Sequence, residues 1–384
     1  MFKELVESGE YAMKVYTDII LQAFAVFPLL ACGFTIPYII YNYHKYGSVL
    51  SLRILIVYSF ILYLLCAYYL VILPLPTKAE VVAMTGRRAQ LMPFRFVLDI
   101  LKESHIVFSN PASWLTLINN QALFQVVFNV VMTIPFGVYL RYYFRRSLKN
   151  TIMLSFILSL FFELTQLSGL YFIYPRGYRL FDVDDLIANT LGGVTGYYVI
   201  KPFMKLLPTR EELDKTSFRR GQEVSLGRRF VAFIIDISFA GMLALIGAIL
   251  IPYQGNNRIM IYFLAYFILL PILWRGITLG KRIMRIKVKA KNGERAYWYQ
   301  ILLRNICLWA LLYLTPLLIY EVGSRVEGGV GKLIFYGLLY GGWCFFLLFE
   351  LVMMTMHRSL FYEKISKTKE ISTIEEKSRY DMGV

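Results

Sequence analysis

The stretch RGYRLFDVDDLIANTLGG, residues 176–193, lies between two apolar segments that are each long enough to cross a membrane. It places Arg176 and Arg179 and the carboxylates of Asp182, Asp184 and Asp185 just before a segment that becomes apolar again. Charged side chains are costly inside the hydrocarbon core, so they mark a membrane surface or a functional site. The stretch therefore predicts a polar rim on a bundle of membrane-spanning helices.

The chain around this stretch is strongly apolar, with 58% hydrophobic and 17% charged residues over 384 positions. Membrane spans of about 20 apolar residues must be helical, because unpaired peptide groups are costly in lipid. We predict an all-α fold: a polytopic integral membrane helical bundle with about nine transmembrane helices and a small cytoplasmic β-hairpin. The predicted spans are 18–42, 51–73, 121–142, 151–173, 185–206, 228–251, 258–275, 301–321 and 331–355.

The positions of lysine and arginine predict the orientation. Most of the 41 basic residues fall in the loops after spans 1, 3, 5 and 7 and in the C-terminal tail, and basic loops face the cytoplasm. We therefore expect a multi-pass protein of the cell membrane with its N-terminus outside and its C-terminus in the cytoplasm. This topology and attraction to anionic membrane lipids explain the net charge of +16, so no nucleic-acid partner is expected.

The chain divides into two halves at a polar segment. We predict a five-span membrane domain over residues 1–207, a cytoplasmic linker over 208–227, a four-span membrane domain over 228–365 and a polar C-terminal tail over 366–384. The linker prediction depends on the sequence PTREELDKTSFRRGQEVSLG, which starts with proline and is rich in charge.

Two further segments contain apolar residues but are not predicted to span the membrane. Residues 79–108 mix apolar and basic residues, which favours an interfacial or re-entrant element on the outer face. Residues 285–299, RIKVKAKNGERAYWY, alternate apolar and basic residues and then reach Asn292-Gly293, a pair typical of tight turns. The alternation predicts the cytoplasmic β-hairpin.

Polar residues recur at helical spacing in three spans of the first half. Asn129 and Thr133 share a face of span 3, Glu163 and Gln166 of span 4, and Asp185 and Asn189 of span 5. Pointed together, these faces would form an outward-facing polar cleft, with Glu163 facing Asn129 and the stripe of span 5 and not lipid. The candidate ligand-binding residues are Asn129, Thr133, Glu163, Gln166, Arg176, Arg179, Asp182, Asp184, Asp185 and Asn189.

Structural roles remain open for several of these residues. Asp184 or Asp185 can cap the start of span 5, the two arginines can pair with the aspartates, and Gly192 and Gly196 can serve close helix packing. The DVDD sequence lacks the glycine turn and the distal glutamate of a calcium loop. The four cysteines and three histidines occur singly, so neither a metal nor a cofactor is expected.

The segment from about 55 to 206 resembles the VanZ-like membrane proteins. The resemblance is carried by VILPLP, LMPF, FNVVMTIPFG, FFELTQ and RLFDVDDLIANTLGGVTGY, in this order. It implies a role in lowered susceptibility to glycopeptide antibiotics, teicoplanin in particular. The polar and small positions of the family fall on Asn129, Pro135, Gly137, Glu163, Gln166, Arg179, Asp182, Asp184, Asp185, Asn189, Gly192 and Gly193.

The segment from about 222 to 370 resembles the RDD family, which is named for one arginine and two aspartates. Arg229 (or Arg228) and Asp236, in LGRRFVAFIIDISFAG, match the first two positions, and Glu363 stands where an aspartate is usual. For some members a sodium–proton exchange activity has been proposed. Arg229 and Asp236 can equally serve only to anchor and lock helices.

Three functions follow from these features. We expect first a membrane protein that lowers susceptibility to glycopeptides (teicoplanin, lipoglycopeptides), by binding or shielding an envelope lipid or the antibiotic at the outer cleft. Its partners would be membrane lipids and a lipid-linked envelope precursor or a glycopeptide. The second is an enzyme on a lipid-linked substrate, with Glu163 as general acid or base. The third is an ion-coupled transporter that uses Glu163, Asp236 and Glu350. The sequence shows no clear nucleophile, which favours a protein that is not an enzyme. If it is an enzyme, the sequence does not identify its catalytic residues.

Overall fold

Long apolar helices dominate the structure, a computed structural model that describes residues 2–104, 114, 117, 120–250, 258–356 and 358–374. Within these residues, seven helices are long and apolar enough to cross a membrane. They are Lys14–Tyr46, Ser51–Ile72, Gln121–Tyr142, Leu148–Leu167, Leu226–Gly247, Trp298–Ser324 and Gly329–Thr355. The predicted all-α, polytopic membrane class is thus confirmed.

The remaining two predicted spans correspond to shorter helices. Span 185–206 becomes the 17-residue helix Val183–Val199, and span 258–275 contains the apolar helix Ile261–Leu273. An untilted helix of 17 residues is about 25 Å long, slightly less than the hydrocarbon thickness of about 30 Å. The crossing of the membrane by these two helices stays a prediction.

The chain forms two compact units. The first comprises Met1–Phe34 and Ser51–Leu213, and the second Thr35–Leu50 and Asp214–Val384. The first helix therefore contributes its early part to one unit and its last turns to the other. The second unit thus takes in a short stretch that lies far upstream of the predicted 228–365 domain.

The first unit is helical with one very short parallel sheet. Its elements are α1 (Phe2–Tyr46, shared with the second unit), α2 (Ser51–Ile72), α3 (Lys78–Ala83), β1 (Ala89–Gln90), α4 (Arg95–Ser104), α5 (Gln121–Tyr142), α6 (Leu148–Leu167), the left-handed turn α7 (Gly169–Phe172), β2 (Phe181–Asp182) and α8 (Val183–Val199). β1 pairs with β2 in parallel. The predicted interfacial segment 79–108 thus contains α3, β1 and α4, and its last residues, 105–108, lie outside the described residues.

Side-chain caps determine where the three helices of the predicted cleft begin. Asn120 accepts from the N–H of Leu123 at the start of α5 (2.8 Å), and Ser147 caps α6. Asp182 accepts from the N–H of Asp184 at the start of α8 (2.8 Å). Each cap satisfies a backbone donor that the first helical turn leaves unpaired.

The second unit contains the remaining helices and one antiparallel sheet. Its elements are α9 (Arg210–Gly221), which begins at the boundary of the units, α10 (Leu226–Leu250), α11 (Arg258–Leu264), α12 (Leu270–Leu273), α13 (Leu279–Ile283), β3 (Ile286–Ala290), α14 (Trp298–Trp309), α15 (Thr315–Ser324), α16 (Gly329–Thr355), α17 (Phe361–Ile365) and β4 (Thr368–Ser372). π-helical turns at Ala265–Leu269 and Ala310–Leu314 join α11 to α12 and α14 to α15.

The strand predicted at 286–290 exists, but its partner is not the one expected. β3 pairs along its whole length with β4, from Ile286 opposite Ser372 to Ala290 opposite Thr368. The predicted hairpin is reduced to one isolated bridge, Lys289 to Arg295, around the turn at Gly293. β3 pairs with β4 because a ladder along its whole length satisfies more backbone N–H and C=O groups than a hairpin would. These groups need partners because Ile286, Val288 and Ala290 bury one face of β3 in the unit.

The segments predicted as linker and tail contain regular structure. Residues 208–227 contain helix α9, where the buried Ser217 carbonyl accepts from the Ser48 hydroxyl at 2.7 Å. Residues 368–372 of the predicted tail form β4, in which Thr368 is buried and the side chain of Glu370 is 7% exposed. The predicted tail after residue 374 lies outside the described residues.

The orientation stays a prediction, and cysteine labelling tests it. In a variant without the natural cysteines, we expect Thr216→Cys on α9 to react with a membrane-impermeant maleimide only after the cells are lysed. Thr216 is exposed, so access is limited by the membrane and not by burial. Glu327→Cys, in the exposed loop after α15, is the matched outer control and should react in intact cells. Labelling of Thr216→Cys in intact cells would contradict the topology.

Candidate functional site

Helices α5 and α8 touch backbone to backbone because glycines line their contact. A Cβ added to Gly196 would overlap the Ile134 carbonyl, and one added to Gly137 would overlap the backbone of Gly193. Small residues at such spacing allow close helix approach in a membrane. This approach brings the polar side chains of the two helices within hydrogen-bond distance.

A connected set of hydrogen bonds joins α5, α6 and α8; we call Asn129, Thr133, Ser159, Asp185 and Asn189 the α8 polar network. Asn129 Nδ2 donates to Asp185 Oδ1 at 2.6 Å. The Thr133 hydroxyl donates to the Asn189 carbonyl at 2.8 Å. Asn189 Nδ2 donates to Ser159 Oγ at 2.9 Å, and Ser159 in turn donates to the Asp185 carbonyl at 3.3 Å. Four of the predicted cleft residues therefore do lie together.

The network reaches the surface at one end and is buried at the other. Gln125, one turn before Asn129, is exposed and donates to Asp185 at 3.3 Å. Deeper in the bundle, Asn189 Oδ1 and Ser155 Oγ are buried and have no hydrogen-bond partner among the described residues. A bare polar atom in such a place is uncommon, so this end offers unused hydrogen-bonding capacity.

Glu163 is buried beside the network and, among the described residues, forms no hydrogen bond with Asn129. Its exposed fraction is 3%, and Oε2 accepts from the backbone N–H of Asp182 at 2.9 Å. Asn129 instead faces the first turn of α8 and binds Asp185. Glu163 instead holds the end of β2 at the point where α8 begins.

The carboxylates of Asp182 and Asp184 hold backbone. Asp182 caps α8 and also accepts from Gln90 of β1 at 3.4 Å. Asp184, buried, accepts from the N–H groups of Phe94 and Phe96 at 2.6 and 2.9 Å and so fixes the start of α4. Burial raises the pKa of the Asp182 carboxyl above its ordinary value, although the N–H of Asp184 opposes the shift.

Both arginines of the opening stretch bind carbonyl oxygens, and among the described residues neither pairs with an aspartate. Arg179 donates to the Val71 and Leu73 carbonyls at 2.7 and 3.0 Å. Arg176 donates to the Met84 and Gly86 carbonyls. The last carbonyls of a helix lack intrahelical partners and attract cations, which explains the preference of Arg179 for the end of α2.

Gln166 completes this contact at the end of α2. Its Nε2 donates to the same Val71 carbonyl at 2.7 Å. Gln166 and Arg179 therefore anchor α2 to α6 and to the loop before α8. Of the ten predicted cleft residues, Arg179 is exposed and Asn129, Arg176, Asp182 and Asp185 are half-buried, whereas the other five are buried.

A second charged centre lies in the second unit; we call Arg229, Lys281, Arg304, Glu363 and Glu370 the Glu370 cluster. Glu370 forms ion pairs with Arg304 at 2.9 Å, Lys281 at 3.0 Å and Arg229 at 3.2 Å. Glu363 pairs with Arg229 at 3.0 Å and with Arg304 at 3.4 Å. Helices α10, α13, α14 and α17 and strand β4 are thereby joined at one buried point.

The pKa of Glu370 reflects this environment. Burial alone would raise the pKa of the carboxyl, but Lys281, Arg229 and Arg304 hold it well below its ordinary value. Burial lowers the pKa of the Lys281 ammonium, and the charge of Glu370 opposes that shift. Glu370 therefore stays ionised throughout the physiological range.

The two adjacent arginines of the RDD-like motif have different roles. Arg228 is fully buried and donates to the carbonyls of Met284, Arg285 and Gly221 at 2.7, 2.8 and 2.9 Å. Arg229 forms the ion pairs, so it is the arginine that joins Glu363. The altered third position thus contacts the first position of the motif directly.

Asp236 accepts three hydrogen bonds. It accepts from the Tyr266 hydroxyl and the Thr278 hydroxyl at 2.6 Å each, and from the N–H of Gly280 at 2.7 Å. It therefore fixes α10 against the π-helical turn Ala265–Leu269 and the start of α13. Glu350 accepts from the N–H of Phe361, the first residue of α17, at 3.0 Å.

Sequence reasoning missed the roles of Gln125, Lys281 and Glu370. The sequence did contain a signal that could have identified Gln125, because this residue lies four positions before Asn129 on the same helical face. Glu370 had only the weak alternation of Thr368, Glu370 and Ser372, in a segment too polar to suggest a buried strand. Within the described part of the chain, no group of three or more His, Cys, Asp or Glu residues could hold a metal ion.

Comparison with known proteins gives two family matches. A family model described as VanZ/LLP1 matches residues 60–206, and one described as RDD family matches residues 224–360. No curated protein and no solved structure matches the chain. The first match contains the whole α8 polar network, and the second contains Arg229 and Asp236, whereas Glu363 and Glu370 lie beyond it.

Proposed function

We propose that this chain, which joins an N-terminal VanZ-like domain to a C-terminal RDD domain, lowers susceptibility to glycopeptide antibiotics by binding a polar envelope molecule at the α8 polar network. The VanZ-like domain links the chain to membrane proteins of antibiotic resistance. The finer statement, that the ligand is a lipid-linked envelope precursor or a lipoglycopeptide such as teicoplanin, is our proposal.

The observation that carries the proposal is the half-buried Asp185. Its carboxylate lies between Asn129 and the exposed Gln125, at the predicted outer end of α5 and α8. A carboxylate that is reachable from the surface and oriented by amide donors can accept hydrogen bonds from a ligand that carries N–H or O–H groups. Glycopeptides and sugar headgroups both carry many such groups.

The neighbouring groups add complementary chemistry. Arg179 is exposed, so its guanidinium is accessible beside the carbonyls that it binds. Asp182 is half-buried and Glu163 holds it in place through its backbone. Donors and acceptors thus occur together in this stretch of the chain, which suits a polar headgroup better than a lipid tail.

The geometry weakens the two alternatives. The enzyme hypothesis needed Glu163 as general acid or base, but Glu163 is 3% exposed and its Oε2 already accepts from the backbone N–H of Asp182 at 2.9 Å. The transporter hypothesis needed Asp236 and Glu350 to exchange a proton or an ion. Asp236 is held by three donors and Glu350 by one backbone N–H.

The test is Glu163→Gln. We expect the variant to lose the protection of a susceptible host against teicoplanin, with the minimum inhibitory concentration returning to that of cells without the gene. The substitution is nearly isosteric and keeps an oxygen for the Asp182 N–H, so it removes the ionisable group beneath the rim and preserves the fold.

The matched control is Asp99→Asn, which removes a carboxylate from an exposed ion pair with Arg95 in the same unit. This control should protect as well as the parent, because exposed ion pairs contribute little. Protein level in the membrane fraction and the thermal midpoint of both variants are measured in parallel. Full protection by Glu163→Gln at the parental protein level would show that Glu163 is structural.

A further inference from the structure

A basic pocket in the second unit takes no part in the proposed function. Its volume is about 480 Å³, and it lies between the loop after α12 and strand β3. It is lined by Trp274, Arg275, Ile277, Lys287, Lys289, Gly293, Glu294 and Arg295. We call it the Lys287 pocket.

Backbone geometry explains why lysines face this pocket. Ile286, Val288 and Ala290 turn inward from β3, so the alternating Lys287 and Lys289 must face the other side. Val288 lies against Gly276, which has a φ of 86° and reverses the chain directly after Arg275. The two lysines and Arg275 thereby meet at one opening.

The cations of the pocket are not neutralised by the protein. Within the described part of the chain, none of Arg275, Lys287, Lys289 and Arg295 forms an ion pair with a carboxylate. The one acidic residue of the lining, Glu294, accepts from Asn292 Nδ2 at 2.8 Å. In the same unit, the cations of the Glu370 cluster each contact a carboxylate. This contrast between the two groups of cations indicates that the Lys287 pocket binds an anion that does not belong to the chain.

Aromatic residues place this opening at a membrane surface. Trp274 follows the last turn of α12 and is 41% exposed, and Tyr297, Trp298 and Tyr299 at the start of α14 are 53–63% exposed. A second cavity lined by Arg275, Arg295, Tyr297 and Trp298 adjoins the pocket. Exposed tryptophan and tyrosine at the ends of membrane helices are typical of the headgroup layer.

We propose that the Lys287 pocket binds the phosphate of an anionic phospholipid headgroup. Arg275, Lys287, Lys289 and Arg295 supply the charge, since arginine and lysine are the usual ligands of phosphate. Trp274 and Trp298 lie beside the glycerol and the first methylenes, which a free phosphate in solution does not possess. A membrane lipid therefore contacts both the cations and the two tryptophans, whereas a soluble anion contacts only the cations.

The test uses the purified full-length chain and native mass spectrometry. We expect phosphatidylglycerol adducts to be retained in preference to phosphatidylcholine adducts. The double substitution Lys287→Gln and Lys289→Gln should weaken phosphatidylglycerol binding by about tenfold or more, since each basic residue near an anionic lipid contributes about fivefold. Both lysines are only half-buried, so the strand and its ladder should survive, which the thermal midpoint checks.

The control removes the same charge elsewhere in the unit, through Lys215→Gln and Arg219→Gln on the exposed face of α9. It should bind phosphatidylglycerol as the parent does. Equal loss in the control would show general electrostatics and overturn the pocket. Unchanged binding in the Lys287→Gln, Lys289→Gln variant would also overturn it. Full displacement of the lipid by low-millimolar sodium pyrophosphate would show a site for a soluble anion and overturn the lipid assignment.

Discussion

Glu370→Gln is expected to lower the free energy of unfolding of the second unit by about 3 kcal/mol or more, the usual cost of removing one partner from a buried ion pair. The variant leaves Lys281 without a carboxylate and leaves Arg229 and Arg304 to share Glu363. Desolvated cations that lose their counter-charge are strongly destabilising. The thermal midpoint in detergent, followed by tryptophan fluorescence, measures the loss.

The matched control is Glu321→Gln, which breaks an exposed pair with Arg325 one helical turn away. Exposed pairs of this kind contribute little, so its midpoint should stay close to that of the parent. If the two variants shifted the midpoint equally, the Glu370 cluster would not be a stabilising centre. Adding Lys281→Gln to Glu370→Gln should recover part of the loss, because the uncompensated ammonium is then gone.

The same cluster predicts an acid sensitivity. Because the folded-state pKa of Glu370 lies below the ordinary value of 4.5, its contribution is fully present above that pH and is lost as the pH falls further towards the folded-state value. Below that pH, the thermal midpoint of the parent should therefore fall more steeply with decreasing pH than the thermal midpoint of Glu370→Gln. A parallel decline of both proteins would contradict the assignment.

Gly196→Ala is expected to destabilise the first unit by roughly 1–3 kcal/mol, the usual cost of overpacking. The added Cβ would overlap the Ile134 carbonyl, which is backbone and cannot rotate away. Helices α5 and α8 must then separate, and the bonds from Asn129 to Asp185 and from Thr133 to Asn189 depend on their contact. Both the thermal midpoint and the protection against teicoplanin should fall.

Gly33→Ala in α1 is the matched control, since a Cβ at that position has nothing within 4 Å. There the change should be neutral or slightly stabilising, because alanine is the better helix former by about 0.5–1 kcal/mol. The two identical substitutions are thus expected to act in opposite directions. Equal effects would mean that propensity, and not the α5–α8 contact, determines the outcome.

The sequence alone was sufficient for the class of protein and for most of its helices. Runs of about 20 apolar residues are a local property, and the bilayer leaves few backbone alternatives to a helix. The same holds for the stripes of Asn129 and Thr133 and of Asp185 and Asn189, because helical periodicity determines which residues share a face. The glycines at 192 and 196 likewise predicted a close helix contact, which α5 provides.

Only the tertiary structure decided which group each charged side chain contacts. Helical spacing does not determine the rotation of α5 about its axis, and that rotation brings Asn129 to Asp185 and not to Glu163. Arg179 binds carbonyls more than 100 positions earlier, and Glu370 reaches Arg229 from a strand that pairs with β3. Such partners depend on the path of the chain between them, which no local pattern records. In the polar segment 366–374, the side chain of Glu370 is only 7% exposed because three cations from other elements converge on its carboxylate.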